Sequence, residues 1–181
     1  KELVLEMIEK EIENLVSHHT SLEHKDDWNI EEISEAVKSI FSVKENVHVD
    51  LRNLAAERNH EGKNTVLRTR IIKYLIDLAK KCYDLKEKDV GCDNMRQIER
   101  LVLLRTIDSL WIDHLDAMTH LREGIGPRGY GQRDPLVEYK KEGFCLFQNL
   151  LDSIQKQIVY TIYKVSIAAP QKSVTEKARE K

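Results

Sequence analysis

The sequence contains few of the residues that interrupt helices. Only seven of its 181 residues are glycine and three are proline, and six of these ten lie between Gly124 and Pro135. The rest of the chain is therefore nearly free of helix breakers, and the composition predicts an all-α fold. The stretch that most resembles a strand, Asn46 to Asp50, is too short to found a sheet.

Cysteines are also scarce, and long apolar runs are absent. Cys82, Cys92 and Cys145 are widely spaced without a CxxC pair, which argues against a disulfide framework or a zinc site and favours a reducing compartment. No apolar run approaches the roughly twenty residues of a membrane span, and the first residues lack the layout of a signal peptide. We expect a cytoplasmic protein. Because the sequence has no initiator Met and begins within a helical pattern, we also expect a fragment of a longer protein.

Neither sign of charge dominates the chain. Its 29 basic and 31 acidic residues are interleaved and give a net charge of −2. No global field therefore favours nucleic acid or an anionic membrane, and we predict no nucleic-acid partner.

The sequence also lacks a phosphate-binding loop. Its only Gly-Lys pair, Gly62-Lys63, has neither the upstream glycine nor the following Ser or Thr that such a loop requires. We therefore predict no nucleotide-binding site and no cofactor in this chain.

Asp113, His114 and Asp116 raise the question of a metal or acid–base site. Asp113 and Asp116 share a helix face, but the His114 side chain points about 100° away from Asp113. Ser109 with His114 and Asp113 fails as a catalytic triad, because neighbouring side chains diverge on a helix and no free amides stabilise an oxyanion there. We predict a solvated helix face, with no metal ligands and no catalytic residues.

Two long helical patterns flank the glycine-rich stretch Gly124 to Pro135. In each pattern apolar residues recur at three- and four-residue steps, so they share one helix face. A short loop between two amphipathic helices favours antiparallel packing, which predicts a helical hairpin with the two stripes in its core. The residues expected to form this structural core are Trp111, Leu115, Met118, Phe147 and Leu151.

The loop of this hairpin has one aromatic residue at its centre. Its glycines permit positive φ, while its prolines fix φ and stop helix continuation. Tyr130, between Gly129 and Gly131, has no local wall to pack on, so its ring either folds back on the hairpin or faces a partner. Basic residues nearby serve either solubility or contact with a polar partner; they are Arg128, Arg133, Lys140 and Lys141.

The segments outside the hairpin are predicted from the same periodicity. Asn29 is placed to cap a short helix, because its side chain can accept from amides of the first turn. The polar tail from Ser166 is expected to be a linker or disordered. The predicted helices are residues 1 to about 19, Ile30 to Phe41, one or two turns around Leu51, about Thr65 to a break at Lys86 to Gly91, and about Asp93 to Glu123.

The strings LWIDHLDAMTHLREGI and RGYGQRDPLVEYKKEGFCLF closely resemble the C-terminal helical region of the SecA family of bacterial preprotein translocase motors. The resemblance is specific over about residues 95 to 165 and weaker before them. It implies long scaffold helices with an antiparallel two-helix finger and an inserted small helical wing, the first helix packing on the helix that leads into the finger. The implied domains are 1–21, the C-terminal part of a scaffold helix; 22–91, the wing; 92–165, a scaffold helix and the finger; and 166–181, a linker or disordered tail.

The resemblance also implies a function. Scaffold and finger would couple an ATPase core, absent from this sequence, to the movement of unfolded preprotein into the SecYEG channel. Tyr130 matches the tyrosine at the finger tip, which touches the translocating chain. The other residues implied at this contact are Arg128, Gly129, Gly131, Gln132 and Arg133.

Further expectations concern the parent protein. ATP and magnesium would bind to its motor domains, and the parent would associate peripherally with the inner face of the bacterial plasma membrane. The scaffold would pack on the ATPase core and restrain its turnover, and a homodimer is a further expected partner. One departure from the family pattern is Gly126-Pro127 before Arg128, where an apolar residue or histidine is common. It stiffens the approach to Tyr130 and leaves the loop conformation open.

A second interpretation belongs to a different class. A free-standing helical adaptor could use the same hairpin only to present a binding surface. The sequence upstream of Lys1 distinguishes the two, because ATPase motifs there would indicate a motor and a start codon next to Lys1 would exclude it.

Overall fold

The computed structural model describes residues 1–20, 28–41, 46–56, 64–126 and 134–165. All regular elements in these ranges are helices, which confirms the predicted all-α fold. They are α1 (Glu2–His19), α2 (Ile30–Ile40), α3 (Val47–Ala56), α4 (Asn64–Val90), α5 (Cys92–Ile125) and α6 (Pro135–Ile162).

Side chains in the sequence explain several helix boundaries. The Asn29 side chain accepts from the Glu32 amide at 3.1 Å, as predicted, and so caps α2. Asp134 caps α6 in the same way, accepting from the Leu136 amide at 2.8 Å, and Pro135 occupies the first turn, where its missing N–H costs nothing. Gly91 separates α4 from α5 with a φ of 90°, a conformation that favours glycine.

One local prediction was wrong, and one open point is resolved. Residues 47–50, the stretch that most resembled a strand, form the first turn of α3. The helix α4 does not break at Lys86 but continues to Val90, because no residue of that stretch opposes a helix until Gly91.

A single hydrophobic core joins all six helices at one end of the molecule. α1 packs chiefly against α4 and α6, not against α5 as the resemblance implied. The core contains Val4, Ile8, Ile12 and Val16 of α1, Ile33 and Val37 of α2, Val47 and Leu51 of α3, Ile71, Leu75 and Tyr83 of α4, Met95, Ile98 and Val102 of α5, and Ile158, Val159 and Ile162 of α6. We call the part of this core that α1, α5, α6 and the last three turns of α4 form the base.

α5 and α6 extend beyond the base as an antiparallel hairpin, which we call the finger. Their pairing is the most extensive between any two helices. In the described part of the finger, from residue 107 to 126 and from 134 to 149, no side chain is fully buried. In these described ranges the finger therefore lies outside the buried core.

The predicted core of the hairpin was wrong for four of its five residues. Trp111, Leu115, Phe147 and Leu151 are exposed, at 44%, 48%, 41% and 46%, and only Met118 is partly buried. The physical reason is that α5 meets α6 over only part of the predicted stripe. Met118 and Leu121 lie against Gly143 of α6, whereas Trp111 and Leu115 remain about half exposed. Periodicity identified the apolar stripe but could not tell which of its residues the hairpin would bury.

Candidate partner-binding surfaces of the finger

One side of the finger presents a continuous apolar surface. Its members come from both helices and are between 41% and 64% exposed. We call this surface the apolar face; it comprises Leu104, Ile107, Trp111 and Leu115 of α5, and Phe144, Phe147 and Leu151 of α6. Contiguous exposed apolar residues on a soluble protein mark sites of interaction more often than isolated ones do.

Aromatic contacts connect the two halves of the apolar face. The His114 ring lies between the other two rings, with its centroid 5.5 Å from that of Trp111 and 6.1 Å from that of Phe147. These distances are typical of favourable aromatic pairs. The three rings therefore bridge α5 and α6, and His114 is part of this bridge.

The two helices approach closely near the tip because Gly143 has no side chain. A Cβ atom at that position would lie 3.3 Å from Met118 Cε and 3.9 Å from Leu121 Cδ2. A shallow groove next to this approach is lined by His120, Glu142 and Cys145 together with apolar residues. Within the described ranges, no three His, Cys, Asp or Glu residues converge as metal ligands.

The residues predicted to contact channel and substrate lie outside the described part of the chain. They are Arg128, Gly129, Tyr130, Gly131, Gln132 and Arg133, and Pro127 lies outside it as well. The flanking residues Gly126 and Asp134 are described, at the end of α5 and just before α6. The assigned roles of these residues remain predictions.

A buried polar cluster at the base was not predicted from the sequence. Glu99 is 5% exposed and accepts a hydrogen bond from the Tyr83 hydroxyl and one of 2.8 Å from Arg96 Nη1. Arg96 also pairs with Glu87, and the hydrogen bond from Lys1 lowers the pKa of Glu87. The i,i+3 spacing of Arg96 and Glu99 was the available signal, but it does not distinguish a buried pair from an exposed one.

Comparison with known proteins decides the family. The family model described as "SecA Wing and Scaffold domain" matches residues 1–166. The chain belongs to this SecA family. Its predicted membership is thereby confirmed.

Relatives in several bacteria carry the name protein translocase subunit SecA. The chain is 39% identical to that of Pelotomaculum thermopropionicum over 94% of its own length and 18% of the relative. It is 36% identical to that of Desulforudis audaxviator, over 87% of the chain and 17% of the relative. The corresponding values for one Dehalococcoides mccartyi relative are 36%, 92% and 16%. The SecA-like chain thus spans less than a fifth of the length of these proteins.

None of the helices in the described part of the chain combines the length and the apolar character that crossing a bilayer requires.

Trp111→Ala should change the free energy of unfolding of this chain by less than about 1 kcal/mol, because the ring is already half exposed. The matched control is Leu150→Ala in α6, since Leu150 is 7% exposed and its truncation should cost about 2–5 kcal/mol. Urea denaturation followed by circular dichroism measures both. A Trp111→Ala cost equal to that of Leu150→Ala would show that Trp111 belongs to the core after all.

Proposed function

We propose that this chain is the wing, scaffold and finger portion of a SecA-type ATP-driven protein-export motor. The scaffold and finger couple an ATPase core outside this sequence to the movement of unfolded preprotein into the SecYEG channel. The observation that carries the proposal is a finger anchored in a well-packed base, with a broad apolar face left uncovered along its side.

The apolar face is the surface that docks on the ATPase core of the same polypeptide. Three aromatic rings and four aliphatic side chains exposed together are unfavourable in water, and burying them against a partner removes apolar area from solvent. The relatives are more than five times as long as the part matched here, so most of the parent is available to cover this face. Undocking of the face would free the finger to move.

This docking can be tested with a cysteine at Ile107, which is 44% exposed. Ile107→Cys should react rapidly with a maleimide in this chain and at least tenfold more slowly in the full-length protein, where the core covers it. Asp116→Cys, at an exposed position on another side of α5, is the control and should react rapidly in both. Equal rates for Ile107→Cys in the two proteins would contradict docking.

Tyr130 is the contact between finger and preprotein. A tyrosine ring offers a large, rigid surface that is indifferent to sequence, with a hydroxyl group for hydrogen bonding. Such a surface suits many different unfolded chains. Arg128, Gln132 and Arg133 add donors for the substrate backbone or the channel rim, and Gly129 and Gly131 leave the ring accessible.

Cofactors and location belong to the parent protein. ATP and magnesium bind to its motor domains, because this sequence supplies no phosphate-binding loop. Contact with the channel would hold the parent at the inner face of the bacterial plasma membrane as a peripheral protein. A homodimer remains a further proposal.

A free-standing adaptor is the competing function. The apolar face would then bind a separate protein instead of the remainder of the same chain. The similarity to a small part of much longer translocase subunits favours the motor.

Tyr130→Ala should leave the free energy of unfolding of this chain within about ±0.5 kcal/mol, because position 130 belongs to neither apolar stripe of the hairpin. In the full-length protein the same change should sharply reduce preprotein transport into membrane vesicles while basal ATP hydrolysis persists. Tyr130→Phe, which keeps the ring, is the control and should retain more transport. Normal transport by Tyr130→Ala would return Tyr130 to the status of an ordinary loop residue.

A further inference from the structure

The helix α4 reaches from the wing to the base of the finger without interruption. At 1.5 Å per residue its 27 residues span about 40 Å. Near its beginning it belongs with the wing, since the Tyr74 hydroxyl donates to Asp50 Oδ2 of α3 at 2.7 Å and Arg68 lies 5.9 Å from the Trp28 ring centroid. Its last three turns make different contacts.

The C-terminal end of α6, in the base, is held by the last part of α4. Lys86 Nζ donates to the carbonyl oxygens of Ile162 at 2.7 Å and Val165 at 2.5 Å, which are unsatisfied groups at the C-terminus of α6. A cation is favourable there, because the helix dipole places partial negative charge at this end. The Tyr163 hydroxyl donates to the Ala79 carbonyl oxygen at 3.1 Å. Burial lowers the pKa of Lys86 and raises the pKa of Tyr163, so both groups are withdrawn from water.

The first turns of α5, also in the base, are held by the same part of α4. The Tyr83 hydroxyl donates to Glu99 of α5, and Glu87 pairs with Arg96 of α5. Tyr83 is fully buried and Glu99 nearly so. A buried carboxylate with defined donors fixes geometry, because any displacement leaves a charged group without its partners.

The same turns also contact α1. Lys80 Nζ lies 2.6 Å from Glu9 Oε1, and Lys1 Nζ lies 2.5 Å from Glu87 Oε2. One short segment of α4 therefore touches the first scaffold helix and both ends of the finger.

We propose that this segment is a clamp that sets the direction in which the finger leaves the base, so that α4, the wing and the finger move as one body. We call Ala79, Tyr83, Lys86 and Glu87 the α4 clamp. Lys86 and Tyr83 are positioning residues, since they act on the finger through its ends. The proposal assigns the last three turns of α4 to the scaffold, although the sequence placed them in the wing.

The length of the finger gives the clamp mechanical importance. From Val102 to the end of α5 at Ile125 the finger extends about 35 Å at 1.5 Å per residue. A change of about 5° at the clamp would displace the far end by about 3 Å. Gly91 is the single residue between the end of α4 at Val90 and the start of α5 at Cys92, so no long loop separates α4 from the finger.

The clamp is tested by a distance measurement in the full-length protein. One spin label is attached to Cys145, which is exposed on the finger, and the other to Val49→Cys, which is exposed on α3. The remaining cysteines are replaced. Pulsed electron resonance should give one narrow distance distribution for this background. Tyr83→Phe combined with Lys86→Met removes four hydrogen bonds but little volume, and it should broaden the distribution at least twofold.

Two matched variants separate positioning from general destabilisation. Lys86→Arg can still donate to both carbonyls and should restore the narrow distribution in the Tyr83→Phe background, while Glu123→Gln, an exposed carboxylate on α5, should change nothing. If the double variant does not fold, as judged by circular dichroism, Lys86→Met alone is measured. A distribution as narrow as that of Glu123→Gln would overturn the clamp.

The consequence for transport rests on the proposed function. A loosened clamp should reduce preprotein transport and leave basal ATP hydrolysis in place. The distance measurement needs neither ATP nor channel, so it judges the clamp alone. Normal transport by Tyr130→Ala would instead count against the proposed function and leave the distance result standing.

Discussion

The finger depends on burial of the last turns of α6, a helix that packs on α1 and α2 as well as on α5. Ile158, Val159 and Ile162 are fully buried there, and helices of this kind gain most of their stability from such packing rather than from local propensity. Between residues 135 and 149 of the described chain, α6 has no fully buried side chain. A firmly held base and a thinly supported far end are what a lever requires. The same arrangement explains why polar contacts of Lys86 and Glu99 lie at the base, where direction is set.

The exposed apolar residues of α5 are the basis of the proposed docking of the finger. A helix that buried one stripe in the hairpin and exposed only polar residues would form a closed, inert projection. Here Trp111, His114 and Phe147 continue the apolar surface from one helix to the other. In the proposed function this surface holds the finger against the ATPase core, while Tyr130 meets the preprotein. Restraint along the side and contact at the end can therefore be separate functions of one element.

Much of the fold could be predicted from the sequence, because helix breakers are few and positioned. The cap at Asn29 followed from its side chain, and the long helix into the loop followed from the apolar periodicity and the lack of helix breakers. The orientation of α5 could not be predicted, since periodicity gives the same signal for a stripe buried in the hairpin and a stripe awaiting a partner. Glu99 and Lys86 were missed because their partners are distant in sequence, and a charged residue in a helical pattern is usually solvated. The tip residues could be assigned only by resemblance, and their geometry stays a prediction.

Contact between Tyr130 and a moving preprotein is the central claim, and a site-specific crosslink tests it most directly. A photoreactive amino acid at position 130 of the full-length protein would be irradiated during transport of a radiolabelled preprotein arrested in the channel, with the same probe at position 116 as the control. The account predicts an ATP-dependent crosslink to the preprotein from position 130 and little or none from position 116. Equal crosslinking from both positions, or none from position 130 while transport proceeds, would contradict it.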